Sequence, residues 1–261
     1  MDIKFIKPDV DYMVQSIMAF QTEEETEFWT EPLYHFYPML KKEHAQSLPY
    51  EERKKYIETV MRGTYMDLEE TLSQKQVAYT KHWERHKAQI VCALSEAFDI
   101  DCETLFNDLR CYISMNPISP RFLQERYFEV FYLNSERGAL GTAIHEIIHF
   151  VWFYVWNQVF GDSYEEYERP SMKWILSEMV VEPIMRDERL SSINPYFPSE
   201  NGGCVYPYFY DMIVDEKPIL ETLHKMYRSQ NMKEFMKSSY WYCLEYEAEI
   251  RKHIEESERK S

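Results

Sequence analysis

Glycine is scarce in this chain, at 6 in 261 residues, and the five cysteines, Cys92, Cys102, Cys111, Cys204 and Cys243, stand far apart with no C-x-x-C pair. So little glycine argues against a fibrous or disordered chain, and the cysteine spacing argues against both a disulfide framework and a thiolate metal site, leaving reduced thiols. Positive charge is in deficit too: 29 Lys and Arg against 45 Asp and Glu leave a formal net charge of -16. Such a balance opposes binding to a phosphate backbone or an anionic membrane surface. The opening residues, Met-Asp-Ile-Lys-Phe-Ile-Lys-Pro, hold no apolar run of signal-peptide length. The expectation is a cytoplasmic protein with no nucleic-acid or membrane partner. What is present, 45% hydrophobic and 16% aromatic residues, describes a packed globular protein.

Residues 1–98 read as a helical N-terminal region, residues 99–212 as a catalytic core and residues 213–261 as a helical C-terminal region, all within one compact body. Two runs rich in aromatic and β-branched residues, Arg110 to Ser114 and Tyr127 to Leu133, predict strands separated by Asn116-Pro117-Ile118-Ser119-Pro120. Asn134 or Ser135 can cap a long helix that stops near Gly161 and Asp162. Its apolar stretch from Gly138 to Phe160 approaches the length of a membrane span, but no second such stretch exists to shield its ionisable residues, so it reads as a buried core helix. A further helix starts near Pro170 or Ser171 and is bent or ended by Pro183. Residues 191–210 read as a loop, and Tyr240 to Lys260 as a solvated helix. The fold class is therefore α+β, predominantly helical.

On an α-helix, residues four apart share a face, so His145 and His149 in His145-Glu146-Ile147-Ile148-His149 can aim imidazole nitrogens at one point. That pattern suits one Zn2+ per chain. Glu146, next to the first histidine, can reach a water at the open position of such a metal without ligating it, which is the place of a general base. Around them lie Ala143, Ile144, Ile147, Ile148, Phe150, Val151 and Trp152. In that setting each unpartnered polar group would cost several kcal/mol. A metal supplies the partner; the alternative is a pair of core histidines satisfied by hydrogen bonds. His82 and His86 are also four apart, but Lys81, Arg85 and Lys87 surround them and Glu84 follows two positions after the first histidine, so they read as a surface pair.

A third ligand is needed, and no histidine or cysteine follows at short spacing. Within Trp174-Ile175-Leu176-Ser177-Glu178-Met179-Val180-Val181-Glu182, two glutamates four apart share a helix face. Glu178 is the preferred ligand and Glu182 the acceptor for the back nitrogen of a ligating histidine; the reverse assignment stays open.

From about residue 110 to 190 the sequence resembles the gluzincin branch of the zincin metallopeptidases, where an H-E-x-x-H helix is followed by a helix supplying a glutamate. Trp174, Glu178 and Glu182 fit the tryptophan four residues before that glutamate and the acidic residue four after it, whereas Met179 stands where a glycine is frequent. The resemblance implies a zinc-dependent peptidase with a zincin-like core: a small sheet whose edge strand, in the place of Tyr127 to Leu133, binds extended peptide by strand addition. It also implies a tyrosine or histidine that stabilises the oxyanion. Tyr206, Tyr208, Tyr210 and His224 qualify by position, although each is as readily a packed aromatic or a surface histidine. The competing function is a zinc-binding regulatory or interaction protein that keeps the site without hydrolysis, against which the retained Glu146 argues.

Overall fold

Ile3 and Phe5 are buried while Lys4 faces solvent, an alternation that makes Ile3–Ile6 the first strand, β1, of the computed structural model, which describes residues 1–194 and 204–259. Helices α1 (Val10–Met18), α2 (Glu27–Phe36), α3 (Lys42–Ser47) and α4 (Tyr50–Phe98) come next in the chain, then strands β2 (Leu109–Ser114), β3 (Arg121–Phe122) and β4 (Tyr127–Phe131). After them stand α5 (Glu136–Phe160), α6 (Met172–Met185), α7 (Glu188–Ser191) and α8 (Pro207–Tyr210), the short strands β5 (Ile213–Val214) and β6 (Lys217–Pro218), and helices α9 (Ile219–Ser229), α10 (Met232–Glu245) and α11 (Glu247–Glu258). The chain is thus α+β and mainly helical, as expected.

The main sheet has the order β1-β2-β4-β3, with β1, β2 and β4 parallel and β3 antiparallel to β4. This topology departs from the sequence expectation in two places. The N-terminal region is not purely helical, because β1 joins the sheet with Ile3 opposite Leu109. Four residues carry too little alternation to stand out when their pairing partner lies far along the chain. Strand β4 is also interior rather than the edge expected for Tyr127 to Leu133. The edge is β3, taken from the segment between the two expected strands.

The register of that edge decides which of its backbone groups are left free. Arg121 faces Phe128 across the ladder, and the Glu129 amide donates to the Pro120 carbonyl at 2.9 Å. Arg121 and Phe128 therefore form a non-hydrogen-bonded pair, and the N–H and C=O of Arg121 point away from β4, toward the open side.

Helix α5 forms where the sequence places it. The Ser135 hydroxyl accepts from the Gly138 amide at 3.0 Å, and Gly161, at φ 75°, closes the C-terminus in the left-handed region. Its residues from Ala143 through Trp152 are buried apart from half-buried His145, with α4, α6, α10 and β4 packed around it. No helix among the described residues is long and apolar enough to cross a membrane. Helix α6 starts at Ser171, whose hydroxyl accepts from the Trp174 amide at 3.1 Å, and is buried along nearly its whole length. It continues past Pro183 to Met185. A proline this close to a helix end removes only the bond to the Met179 carbonyl, so the expected break is avoided.

The other departures are local. Helix α4 is one 49-residue element where several helices with polar breaks were expected. His82 and His86 on it are half-buried rather than on the surface, with His82 Nδ1 3.5 Å from the Glu136 carboxylate. The loop expected over residues 191–210 contains α8 and the end of α7, and residues 195–203, with Pro195, Pro198, Ser199, Glu200, Gly202 and Gly203, lie outside the described residues. The β5–β6 hairpin interrupts the helical C-terminal region, turning through Asp215 and Glu216 at φ 50° and 59°. Tyr240 to Lys260 holds the end of α10 and then α11, which meet at Tyr246. One hydrophobic cluster runs from Met1 to Ile250, so the three regions share a single core. All five cysteines are free.

Because α5 is the pivot of that core, Trp152→Ala, at a side chain 0% exposed, is expected to lower stability by about 3–5 kcal/mol. Trp241→Ala, at a residue 63% exposed, should stay within about 0.5 kcal/mol of the parent. Urea unfolding followed by circular dichroism measures both, and equal midpoints for the two variants would contradict the packing described.

Candidate metal centre

Helical spacing brings the Nε2 atoms of His145 and His149 within 3.0 Å of each other. The Nδ1 of His145 donates to the carbonyl of Cys204 at 2.8 Å, and because a carbonyl only accepts, the neutral imidazole keeps its Nε2 lone pair free. Cys204 is itself held by its own amide, which donates to the Tyr210 hydroxyl at 3.1 Å. His149 is fully buried, and that burial, with the nearby Arg121 charge second, pushes its imidazole well below the ordinary histidine value. It is therefore neutral at physiological pH. Its Nδ1 is buried with no hydrogen-bond partner.

Glu178 reaches the pair from α6. One carboxylate oxygen, Oε2, lies 3.6 Å from His145 Nε2, and the other, Oε1, lies 3.7 Å from His149 Nε2. Donor atoms about 2.1 Å from a tetrahedral zinc stand about 3.4 Å apart. The observed separations of 3.0, 3.6 and 3.7 Å lie around that edge length, the last two to different oxygens of Glu178, so the carboxylate stands where a turn of its own side chain presents one oxygen to both imidazoles.

Glu178 approaches the histidine pair from α6, but the group whose ligand atoms all lie within 4.8 Å of one another is His145, His149 and Glu146. The Oε1 of Glu146 is 3.9 Å from His145 Nε2, farther than either approach of Glu178, and its Oε2 is buried with no hydrogen-bond partner. The two carboxyls also differ in proton affinity. Burial pushes Glu146 up to about 7 despite the neighbouring His145 and Arg121 charges. At Glu178 the same desolvation is outweighed by Arg121, His149 and His145, which hold its carboxyl far below the usual range. One carboxyl therefore stays ionised beside another that gains or loses a proton near neutrality.

Arg121 is a site residue that sequence reasoning missed. Its Nη1 donates to Glu178 Oε1 at 2.6 Å and lies 3.9 Å from Glu146 Oε2, while Nη2 approaches the Ser177 hydroxyl at 3.4 Å. The side chain is only 12% exposed. Nothing in the local pattern around Pro120-Arg121-Phe122 marks it, because its partners sit on α5 and α6 and only the pairing of β3 with β4 aims it there.

His145, Glu146, Glu178 and Arg121 line a cleft of about 710 Å³, within the usual range of ligand-binding clefts, and His149 lies buried behind them. Trp29 and Phe36 from α2 line the cleft as well, together with Phe131, Trp174 and Tyr206. Of the residues considered for the oxyanion, Tyr206 alone lines this cleft. Burial, followed by the Glu178 charge, pushes its phenol well above the ordinary value, so it remains a hydrogen-bond donor. Tyr208 packs between Phe28 and Phe209 with its hydroxyl buried and unpartnered. Tyr210 serves Cys204, and His224 lies on α9 in the field of Arg186 and Glu221. Glu182 accepts no bond from either histidine: Arg186 pairs with its Oε1 at 3.2 Å, and the Cys204 carbonyl takes the back nitrogen of His145 instead.

Comparison with protein-family models, with curated proteins and with solved structures finds no match to this chain.

The arrangement has a consequence for metal uptake. Burial lowers the proton affinity of His145, but its hydrogen bond to Glu178 and the Glu146 charge outweigh that and leave it above the ordinary histidine value. His149 and Glu178 are shifted the other way, so of the three His145 is the side chain that takes up a proton first as pH falls. Titration of metal-free protein should therefore show about one zinc bound per chain, with affinity falling about tenfold per pH unit once pH drops through the raised His145 value. A slope near zero, or near two protons, would contradict the protonation states described.

Proposed function

We propose that the chain is a zinc-dependent peptidase in which His145, His149 and Glu178 hold the metal and Glu146 is the general base. The observation that carries the reading is the meeting, at the base of one cleft, of two facing imidazole nitrogens, an ionised carboxylate from a separate helix and a second carboxylate whose buried oxygen has no hydrogen-bond partner. When bound, zinc supplies Lewis acidity that polarises a carbonyl and lowers the pKa of water.

The protein's own groups do the rest. The Cys204 carbonyl fixes the His145 tautomer, so that its Nε2 is offered to the metal. Arg121, at the open side of β3, offers its backbone N–H and C=O to an extended peptide, which adds as the next strand and brings its carbonyl past Glu146. The Glu146 carboxylate, next to the histidine pair and with one oxygen lacking a hydrogen-bond partner, takes a proton from water as that water adds to the carbonyl and returns it to the departing amine. The Tyr206 hydroxyl, a donor across the same cleft, is the group available to the developing oxyanion. Helix α2 adds Trp29 and Phe36 to the cleft lining, apolar surface on which side chains of an extended peptide can pack.

The test is hydrolysis of a mixed peptide library by zinc-loaded protein, followed by mass spectrometry. Glu146→Gln should bind zinc as the parent does and lose roughly 100- to 10,000-fold in kcat/KM. A zinc-loaded parent that cleaves nothing would contradict the peptidase reading and favour a zinc-binding protein without hydrolysis.

A further inference from the structure

We infer that Arg121 is a positioning residue that makes Glu178 a competent metal ligand and ties that ligand to the strand edge where peptide adds. The inference rests on the zinc-site reading and extends it to a residue outside the H-E-x-x-H pattern.

Glu178 needs this help for a geometric reason. A carboxylate at the end of two methylenes has several rotamers, and a ligand that must meet two imidazoles loses affinity for every alternative it visits. Arg121 removes them by binding one oxygen. Its Nη1 donates to Oε1 at 2.6 Å, a charge-assisted bond at the short end of the usual range, while Oε2 stays turned toward His145 Nε2 at 3.6 Å. One oxygen is anchored and the other is offered.

The guanidinium is anchored in turn. Ser177, the residue before Glu178, has its hydroxyl 3.4 Å from Nη2 and donates that hydroxyl to the Trp174 carbonyl at 2.7 Å, so Arg121 grips α6 at two adjacent positions. Its backbone belongs to β3, whose neighbour Phe122 stacks on Tyr127 of β4 with ring centroids 4.4 Å apart. A buried arginine bound to a carboxylate is costly to place and serves where a planar, fixed donor set is wanted. Here it joins an edge strand, a ligand helix and, at 3.9 Å, the Glu146 carboxylate. A peptide bound to the Arg121 backbone is thereby held in register with the side chain that sets the ligand.

Zinc affinity, measured by competition with a chromophoric chelator, and the visible absorption spectrum of the cobalt(II)-substituted protein test this without recourse to turnover. Arg121→Met should weaken zinc binding by about 10- to 100-fold and shift the cobalt bands, because Glu178 is no longer oriented. Arg121→Lys, which restores the charge and one donor but not the fork, should recover part of the affinity and a spectrum closer to the parent. Parent-like affinity and cobalt spectrum in a folded Arg121→Met protein, or an Arg121→Lys protein no better than Arg121→Met, would overturn the positioning role. If the parent itself bound neither metal, the zinc-site reading would fall first and this inference with it.

Discussion

The structure depends on one costly placement: ionisable side chains set within α5, a helix that must be buried on nearly every side to complete the core. A buried charge without a partner costs several kcal/mol even after relaxation, so His145, Glu146 and His149 constrain everything packed against them. The protein meets this constraint partly by keeping His149 neutral and Glu146 easily protonated, and partly by bringing Glu178 and Arg121 to the same place from α6 and β3. Within this cluster His149 Nδ1 and Glu146 Oε2 still lack a hydrogen-bond partner. Stability alone would favour apolar residues at these positions, which is why the cluster reads as a site retained for chemistry.

Charge sets the division of roles within the cluster. Burial raises the proton affinity of both glutamates, but Glu178 has Arg121 at 2.6 Å and both histidines beside it, whereas Arg121 only approaches Glu146, at 3.9 Å. That difference keeps Glu178 ionised and leaves Glu146 near neutrality, able to exchange a proton. The scaffold around them is ordinary core packing: α4, α6 and α10 hold α5 in place, and the pairing of β3 with β4 sets where Arg121 meets Glu178 on α6.

Local signals were legible in the sequence and long-range ones were not. Ser135, Gly161 and Ser171 marked the ends of α5 and α6 because capping is decided within a few residues. The facing of His145 and His149 came from helical geometry alone. Strands β2 and β4 were visible as aromatic and β-branched runs, although the interior place of β4 was not, since strand order depends on partners distant in sequence. Strands β1 and β3 have four and two residues, too few for a period of two to show. Arg121 could not be found for the same reason, its place at the site being created by the pairing of β3. Glu182 was assigned from a spacing that puts it on the face of Glu178, but Arg186, one turn on, pairs with it instead.

X-ray absorption at the zinc edge of the zinc-loaded protein addresses the central claim, that these side chains form a metal centre, most directly. The expected result is a first shell of nitrogen and oxygen near about 2.0–2.1 Å, with the outer scattering of two imidazoles and no sulfur. A sulfur shell near about 2.3 Å, which would implicate Cys204 or another thiol, or the absence of imidazole scattering, would contradict it.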